Sequence, residues 1–353
     1  MSGGGWNFLK NTSAAANFRA DGFEQRGAGP TTEGDRSEGG SLGGCYGTCD
    51  GIMSNDEGAN PDFFGYNKVF IPIGDRTSFT ADRWGGNPLY RGKRILDSAI
   101  ADMSARYNLS LATHVVLTGG SSGGLATYLN CDRVAAMLSS TTSYACLADA
   151  GYFMDHTTMT GAQSAVSQDF RESYYAWNSS AGTNQACVAH YAPLGTPELC
   201  IFAQYVLPFI QSRFFIMQNL YDSWQLHNIY GWQCASYNTD LSKCDAADMA
   251  ALNKYGADMR VLLADAVAAP ATGMYATSCI AHCQSIENEH PEALWHWEGR
   301  WGIEGKSAAL PVTAVQYPRE TFGAWFFGRS PQYTVEQRCD WGPACNAMCP
   351  DFT

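Results

Sequence analysis

Short apolar runs alternate along this chain with longer segments whose apolar residues recur at helical spacing. The runs predict buried strands at residues 68–73, 114–117 and 213–217, with a further strand-like piece before residue 277. The helical spacing predicts helices over about 91–106, 125–138, 246–267 and 318–328. In the first of these helices, Ile95, Ile100 and Tyr107 fall on one face. Strands and helices in alternation are typical of a parallel sheet, so the pattern predicts an α/β fold.

Two stretches lack this periodicity. Residues 1–60 are rich in Gly, Ser, Asn and Thr and predict an extended loop, which Cys45 and Cys49 would hold together. Residues 143–200 are aromatic and loop-rich, so we predict an insertion or cap over the sheet. Because the sequence has neither an internal repeat nor a long linker, we expect a single domain over residues 1–353.

A Gly-x-Ser-x-Gly pattern centred on Ser121 lies between a predicted strand and a predicted helix. Strand, tight turn and helix form the context of a nucleophile elbow. Glycines flank the serine because so sharp a turn leaves no room for Cβ atoms on both sides. The start of the helix directs free N–H groups toward negative charge that forms near Ser121. An ordinary Gly-Ser loop is the alternative, and the flanking elements favour the elbow.

A serine hydrolase of this type needs a carboxylate and then a histidine downstream of its serine. Asp222 follows a predicted strand, at the end where parallel sheets bind ligands, although it could instead cap the next helix. Four histidines follow it: His227, His282, His290 and His296. We favour His282 because Cys279 and Cys283 would make its loop rigid. A structural role remains open for each of the four.

The third part of such a site is an oxyanion hole. The backbone N–H of Ser122, directly after the nucleophile, is one expected donor. A second donor requires a glycine-rich loop, and the Gly-Gly-Gly-Trp stretch that ends in Gly5 and Trp6 meets this requirement. A disordered N-terminus is the alternative interpretation of that stretch.

Charge and composition narrow the function further. The chain has 353 residues, of which 45% are hydrophobic, and its net charge is −12, with 22 Lys plus Arg against 34 Asp plus Glu. Since no basic block is present, we expect no nucleic-acid partner. The charge also argues against a densely anionic polymer as substrate unless the cleft is locally basic. We find no apolar run that predicts a membrane span.

Thirteen cysteines predict disulfides and an oxidising compartment. Three pairs have three residues between their members, which we interpret as disulfides: Cys45/Cys49, Cys279/Cys283 and Cys345/Cys349. A zinc site is the alternative, but this spacing is a weak metal signal, so we expect neither metal nor cofactor. Because the number of cysteines is odd, pairing within the chain leaves at least one of them as a thiol. Three N-x-S sequons, at Asn11, Asn108 and Asn178, are compatible with secretion.

Several different short motifs are distributed along the whole chain. They lie at residues 3–6, 60–63, 67–69, 78–79, 90–92, 118–127, 149–153, 221–225, 278–284 and 345–349. Together they resemble the pectin acetylesterase/Notum family of α/β-hydrolase carboxylesterases, and the end of the chain is similar to the plant-type members. The resemblance implies an α/β-hydrolase fold with Ser121 as nucleophile, Asp222 as acid and His282 as base. It implies oxyanion donors at Gly5, Trp6 and Ser122.

The chain departs from this family at a few positions. Members carry a signal peptide and early strands before the Gly-Gly-Gly-Trp motif, which this sequence lacks, so we expect the sequence to be incomplete at its start. Asn7 stands where a cysteine is usual, in agreement with the odd cysteine count. Gly120 and Ser122 stand where Cys and Ala are usual, and because both are small we expect the elbow to be kept.

The motifs and the resemblance together predict a secreted, monomeric serine carboxylesterase. Its reaction would remove O-acetyl groups from cell-wall or extracellular polysaccharide such as pectin, through an acyl-enzyme on Ser121. A Notum-like carboxylesterase that removes a longer fatty acyl group from a protein is the first alternative. A lipase or peptidase on the same fold is another. An inactive carbohydrate-binding relative is a third, because an unsupported loop at Gly5 and Trp6 would weaken the oxyanion hole.

Overall fold

One parallel sheet forms the centre of the described part of the protein. The computed structural model describes residues 51–71, 75–85, 90–234, 241–268, 271–283, 297, 317–329 and 334–336. Its strands are β1 (His114–Gly120), β2 (Ser143–Asp149), β3 (Arg213–Asp222), β4 (Thr272–Ala281) and β5 (Thr334–Glu336). They lie side by side in chain order, and every pairing is parallel. The predicted α/β class with a parallel sheet is therefore confirmed.

Helices connect the strands and cover the sheet. They are α1 (Gly92–Tyr107), α2 (Ser122–Ala135), α3 (Ala165–Ala176), α4 (Gln185–Tyr191), α5 (Ala203–Val206), α6 (Ser223–Gln225), α7 (Ala246–Val267) and α8 (Pro318–Phe326). A π-helical turn, Leu226–Tyr230, continues α6. None of the described helices combines the length and the apolar character that a membrane span requires.

Alternate residues of β3 pack on opposite faces of the sheet. Phe214 and Ile216 belong to the larger hydrophobic cluster, with α2 and α7. Phe215 and Met217 belong to the second cluster, which includes the aromatic residues of α8. Because successive side chains of a strand point to opposite faces, a strand buried on both faces is apolar at nearly every position. This explains why the continuous apolar run at 213–217 predicts a strand correctly.

The helix predictions differ from the structure mainly at their edges. Helix α7 has the predicted bounds, and α2 begins at Ser122, which is three residues earlier than predicted. In α1 the buried side chains are Leu96 and Ile100, whereas Ile95 is 40% exposed and Tyr107 is 50% exposed. The observed face keeps Ile100 and takes Leu96 in place of Ile95, because each residue is offset by about 100° from the one before it.

Two segment predictions need correction over part of their length, and residues 72 and 73 of the predicted strand at 68–73 lie outside the described residues. The proposed insertion at 143–200 begins with β2, which lies between β1 and β3; small residues such as Ala145 and Ala148 have weak strand propensity, and burial overrides it. The remainder contains helices, as expected for a cover over the sheet. Residues 68–71 form no strand: Val69 is 53% exposed, and the Lys68 amine donates to the carbonyl oxygen of Phe64 at 2.7 Å.

Disulfides are present, but not where the spacing of the cysteines predicted them. Three bridges have both ends in the described residues: Cys131–Cys146, Cys187–Cys200 and Cys234–Cys244. Cys279 is also disulfide-bonded, but Cys283 is a buried thiol, so the predicted Cys279/Cys283 bridge is wrong. Cys283 has a φ of 63°, and its sulfur packs against Gly120. The other two predicted pairs, Cys45/Cys49 and Cys345/Cys349, lie outside the described residues.

Candidate active site

Ser121 occupies the turn between β1 and α2 in a conformation that L-residues rarely adopt. Its φ is 55° and its ψ is −123°. The turn is fixed on both sides, because the Ser121 N–H donates to the carbonyl of Asp149 at 2.9 Å and the Ser121 carbonyl accepts from Leu125 at 3.0 Å. A non-glycine residue at positive φ persists only where its surroundings hold it there, and such residues cluster at functional sites. The predicted strand, sharp turn and helix are all present.

The glycines after Ser121 allow two backbones to touch. A Cβ atom on Gly124 would lie 2.4 Å from the carbonyl oxygen of Asp149, and a Cβ atom on Gly151 would lie 2.2 Å from the carbonyl carbon of Gly124. Neither contact is possible for a larger residue without a shift of the backbone. The first turn of α2 is therefore seated directly on the end of β2, and the position of Ser121 is fixed by this contact.

The Ser121 hydroxyl, the His282 imidazole and the Asp222 carboxylate form one continuous hydrogen-bonded chain. His282 Nε2 lies 2.8 Å from Ser121 Oγ, and its Nδ1 lies 2.9 Å from Asp222 Oδ2 and 3.0 Å from Oδ1. Asp222 is fully buried. Because an ionised carboxylate only accepts, we assign the proton of neutral His282 to Nδ1, which leaves Nε2 to accept from the serine hydroxyl.

The three side chains come from distant parts of the chain but meet at one edge of the sheet. Ser121 follows β1, Asp222 ends β3, and His282 follows β4 directly. All three positions are carboxyl ends of parallel strands, where α/β proteins bind ligands. His282 is the histidine that reaches both Ser121 and Asp222. Two of the other candidates, His290 and His296, lie outside the described residues.

Asp222 also caps the helix that follows it, so one carboxylate makes both the helix cap and the contact with His282. Its Oδ1 accepts from the backbone N–H of Gln225 at 3.0 Å, and its Oδ2 accepts from the side-chain amide of Gln218 at 3.0 Å. Hydrogen bonds of this kind satisfy a buried carboxylate and fix its orientation. The charge of Asp222 also acts on Tyr255: burial first and this charge second raise the pKa of that phenol well above its usual value.

Sequence reasoning did not identify the two glutamines beside Asp222. Gln218 accepts from the Tyr152 N–H at 3.2 Å, and Gln225 accepts from the Met154 N–H at 2.9 Å and donates to the Tyr152 carbonyl at 3.1 Å. Both are fully buried. They therefore connect the acid loop to the segment that follows β2. A glutamine directly after the apolar run 214–217 was the available signal for Gln218, since a buried amide needs partners.

Two aromatic side chains flank the imidazole. The Trp224 ring lies nearly parallel to that of His282, with centroids 6.2 Å apart and planes at 29°. Phe153 packs edge-on against Trp224 at 5.2 Å and lies 6.1 Å from His282. These contacts restrict rotation of the imidazole and form an apolar wall beside the serine hydroxyl.

Ser122, the predicted oxyanion donor that follows the nucleophile, lies at the start of a helix. Ser122 is the first residue of α2, where a helix N–H has no acceptor within the helix. Its carbonyl is held by the Ser78 hydroxyl at 3.0 Å. The other two predicted donors, Gly5 and Trp6, lie outside the described residues, so their role stays a prediction.

The described residues offer little for a metal ion. Their one close group of ligand types, within 4.8 Å, is Cys234, Cys244 and Asp248, and its two sulfurs are joined in a disulfide. A disulfide supplies no thiolate ligand. The geometry of the Ser121 site is compatible with acyl transfer by a serine, a base and an orienting acid.

Comparisons with known proteins agree with this geometry. The family model described as Pectinacetylesterase matches residues 42–350. Pectin acetylesterase 7 and pectin acetylesterase 11 of Arabidopsis thaliana are each 30% identical to this chain, over 85% of the chain and 74% of the relative. Palmitoleoyl-protein carboxylesterase notum2 of Xenopus laevis is 24% identical over 85% of the chain and 60% of the relative.

Among solved structures, the Wnt deacylase Notum from Drosophila has a similar fold. The TM-score is 0.68 at 21% sequence identity, and the match covers 86% of this chain and 79% of that one. At this level of identity the similarity concerns the fold, which confirms the predicted α/β-hydrolase-like class.

Proposed function

The chain belongs to the pectinacetylesterase family and is a carboxylic ester hydrolase, and from this membership we propose that Ser121, His282 and Asp222 hydrolyse the acetyl esters of pectin. The observation that carries the proposal is the position of His282. One ring nitrogen lies 2.8 Å from the Ser121 hydroxyl, and the other lies 2.9 Å from Asp222. These are the distances that proton transfer and orientation of the base require.

The first half of the reaction transfers the acetyl group to the enzyme. His282 Nε2 takes the proton from Ser121 as Oγ attacks the acetyl carbonyl carbon, and the carbonyl oxygen becomes an oxyanion. The N–H of Ser122 donates to that oxyanion, and Asp222 stabilises the imidazolium. The C–O bond to the sugar then breaks, and His282 gives its proton to the sugar oxygen, which leaves as a hydroxyl. An acetyl ester of Ser121 remains.

The second half repeats these steps with water. His282 removes a proton from a water molecule, whose oxygen attacks the acetyl-enzyme, and the collapse of the second tetrahedral intermediate returns the proton to Ser121 Oγ. Acetic acid is released, and the site returns to its starting state. No redox change and no co-reactant other than water are needed.

The surroundings of His282 favour a small acyl group. Phe153 is buried, and it packs with Trp224 against the imidazole, so this side of the site is filled by aromatic rings. An acetyl group needs little space beyond its carbonyl, whereas a long acyl chain needs an open apolar channel. The alternative activity, removal of a long acyl group, is the one that the name of the more distant notum2 relative gives.

We propose that the protein is secreted and acts as a monomer on acylated polysaccharide. The three described disulfides support an oxidising compartment, because such bonds persist outside the reducing cytosol. The net charge of −12 does not favour nucleic acid as a partner.

The test compares two esters and one substitution. We expect the wild-type protein to release acetate from acetylated pectin and to hydrolyse an acetyl ester faster than the matching octanoyl ester. Ser121→Ala lowers acetyl-ester turnover by at least about 10⁴-fold, because it removes the nucleophile. Acetyl hydrolysis that persists in Ser121→Ala contradicts the proposed mechanism. A preference for the octanoyl ester supports the long-acyl alternative, and no turnover of either ester supports the inactive relative.

A further inference from the structure

A basic patch with an exposed tryptophan interrupts the acidic surface of this protein. Trp84 is 65% exposed, and the guanidinium carbons of Arg94 and Arg91 lie 4.2 and 4.9 Å from the centre of its ring. Residues 75–94 contain five basic and two acidic residues, a net charge of +3, in a chain whose total is −12. We call Trp84, Arg91 and Arg94 the Trp84 patch.

The segment that carries the Trp84 patch is attached to the elbow at its start, where the Ser78 hydroxyl donates to the Ser122 carbonyl at 3.0 Å. It then runs along α2. Arg133, in the last turn of α2, donates to the carbonyl oxygens of Phe79 and Lys93 at 3.0 and 3.3 Å. The start of α1, which carries Arg94, is therefore held toward the end of α2 that lies away from Ser121.

The residues directly before Trp84 contact a segment that lines a pocket. Asp82 donates its N–H to the Trp177 carbonyl at 3.2 Å and accepts from the Asn178 side chain at 2.9 Å. Arg83 donates to the Ala176 carbonyl at 3.3 Å. The pocket has a volume of about 260 Å³, and its lining includes Tyr174, Tyr175 and Asn178. The patch and the pocket therefore form adjoining parts of one surface.

We propose that the Trp84 patch binds uronate units of the polysaccharide at a distance from the acetylated sugar, as a remote subsite for an anionic chain. This inference rests on the proposed function. The apolar face of a pyranose ring stacks on an indole, and a guanidinium binds a carboxylate through charge-assisted hydrogen bonds. Arg94 is paired with Asp82, which holds its guanidinium at the ring. A neutral polysaccharide would contact the indole alone.

The patch also accounts for how an acidic protein binds an acidic polymer. The net charge repels a polyanion at a distance, and salt screens this repulsion beyond about 10 Å. A local cluster of arginines with an aromatic surface gives attraction where the chain docks and sets its register. The anionic substrate that the overall charge disfavours is thus bound through a locally basic site.

The test uses two double variants that are matched in chemistry. Trp84→Ala with Arg94→Gln removes the patch. The control is Tyr107→Ala with Arg106→Gln, because Arg106 lies 5.5 Å from the Tyr107 ring and pairs with Asp102 at the other end of α1. For each protein we would measure kcat and KM on acetylated polygalacturonate and on a small neutral acetate ester. Calorimetry would give the binding of unacetylated polygalacturonate in a Ser121→Ala background.

We expect the patch variant to raise KM for the acetylated polymer about tenfold, the size of effect that a lost charge-assisted and aromatic contact gives, with kcat within twofold. Binding of unacetylated polygalacturonate should weaken by the same factor, and added NaCl should reduce the difference from wild type. On the small ester, kcat and KM should be the same for the patch variant and the control variant.

Two results would overturn the subsite and leave the esterase function intact. In the first, the patch variant has the wild-type KM for the acetylated polymer and binds unacetylated polygalacturonate as tightly as wild type. In the second, the control variant loses as much as the patch variant. If the wild-type protein fails to hydrolyse the small ester, the proposed function is wrong, and the calorimetry still decides whether the patch binds the polymer.

Discussion

The side-chain amide of Gln218 donates a 3.0 Å hydrogen bond to Oδ2 of Asp222, although the two residues lie four positions apart on β3. Four residues of a regular strand span about 13 Å, which is too far for these side chains to meet. The register of β3 against β4 shifts between Asn219 and Tyr221, and this irregularity brings the two side chains together. An irregular strand beside a site commonly re-aims a side chain, and here it orients the acid toward His282.

Replacement of Gln218 tests this relationship. We expect Gln218→Leu to lower kcat by about 10- to 100-fold, because a hydrogen bond to a charged group contributes about 1.5–3 kcal/mol. KM should change little, since the amide is buried away from the surface. Gln168→Leu is the matched control, because Gln168 bonds only surface partners in the described contacts. Steady-state kinetics on an acetyl ester measure kcat and KM for both variants. An unchanged kcat in Gln218→Leu would show that the amide does not position the Asp222 carboxylate.

The orienting role of Asp222 predicts a larger effect. We expect Asp222→Asn to lower kcat by about 10⁴-fold, because an amide can donate to Nδ1 and favour the wrong tautomer of His282. The chain contains a second pair of the same chemistry, in which His156 Nε2 lies 3.0 Å from Asp258 Oδ2. Asp258→Asn should therefore keep wild-type turnover of the acetyl ester. Comparable losses in the two variants would mean that Asp222 acts on folding and not on His282.

The contact of Gly124 with β2 predicts a loss of stability. A Cβ atom at Gly124 would lie 2.4 Å from the Asp149 carbonyl oxygen, whereas nothing lies within 4 Å of one at Gly65. Gly124→Ala should lower the free energy of unfolding by about 1–3 kcal/mol, since overpacked sites shift the backbone. Gly65→Ala should lower it by less than about 1 kcal/mol. Urea unfolding measures both, and equal midpoints for the two variants would contradict the close contact at the elbow.

Burial raises the pKa of the Asp75 carboxyl above its usual value of 3.8, although hydrogen bonds from Thr77 and Arg91 act in the opposite direction. The folded protein therefore holds this proton more tightly than the unfolded chain. Protonated Asp75 therefore stabilises the folded protein. This contribution to the free energy of unfolding is complete below pH 3.8 and is lost as the pH rises through the raised pKa of the folded protein.

An Asp75→Asn variant isolates this effect. The stability of the wild-type protein relative to Asp75→Asn should fall as the pH is raised from 3.5 toward neutrality, over a range of about two or three pH units. Urea unfolding of both proteins at each pH measures the difference, and effects of other carboxylates cancel. A difference that grows with pH would mean that the hydrogen bonds to the ionised carboxylate outweigh its burial.

Local patterns predicted much of the fold because they concern neighbouring residues. The elbow at Ser121 and the bounds of α7 follow from short-range spacing, and the structure has both. The acid and the base lie about 100 and 160 positions further on. His282 was preferred among four histidines because of a Cys279/Cys283 bridge that the structure does not contain, and the family resemblance independently implied the same residue. Only the sheet, which brings three strand ends together, places these side chains within hydrogen-bonding distance.

Other features depend on tertiary contacts that no local pattern encodes. The strand β2 is composed largely of small residues and was assigned to the insertion, since its position between β1 and β3 is a property of the whole sheet. Gln218 meets Asp222 only because of an irregularity in β3. Cys283 was paired by spacing with Cys279, whereas the positive φ of residue 283 turns its sulfur toward Gly120.

The bridges Cys131–Cys146, Cys187–Cys200 and Cys234–Cys244 join cysteines that are 15, 13 and 10 positions apart. No described cysteine lies between the two partners of any of these bridges. Each bridge therefore joins a cysteine to the next one along the chain. Closing such short loops costs little chain entropy, so local pairing favours these native linkages over long-range ones.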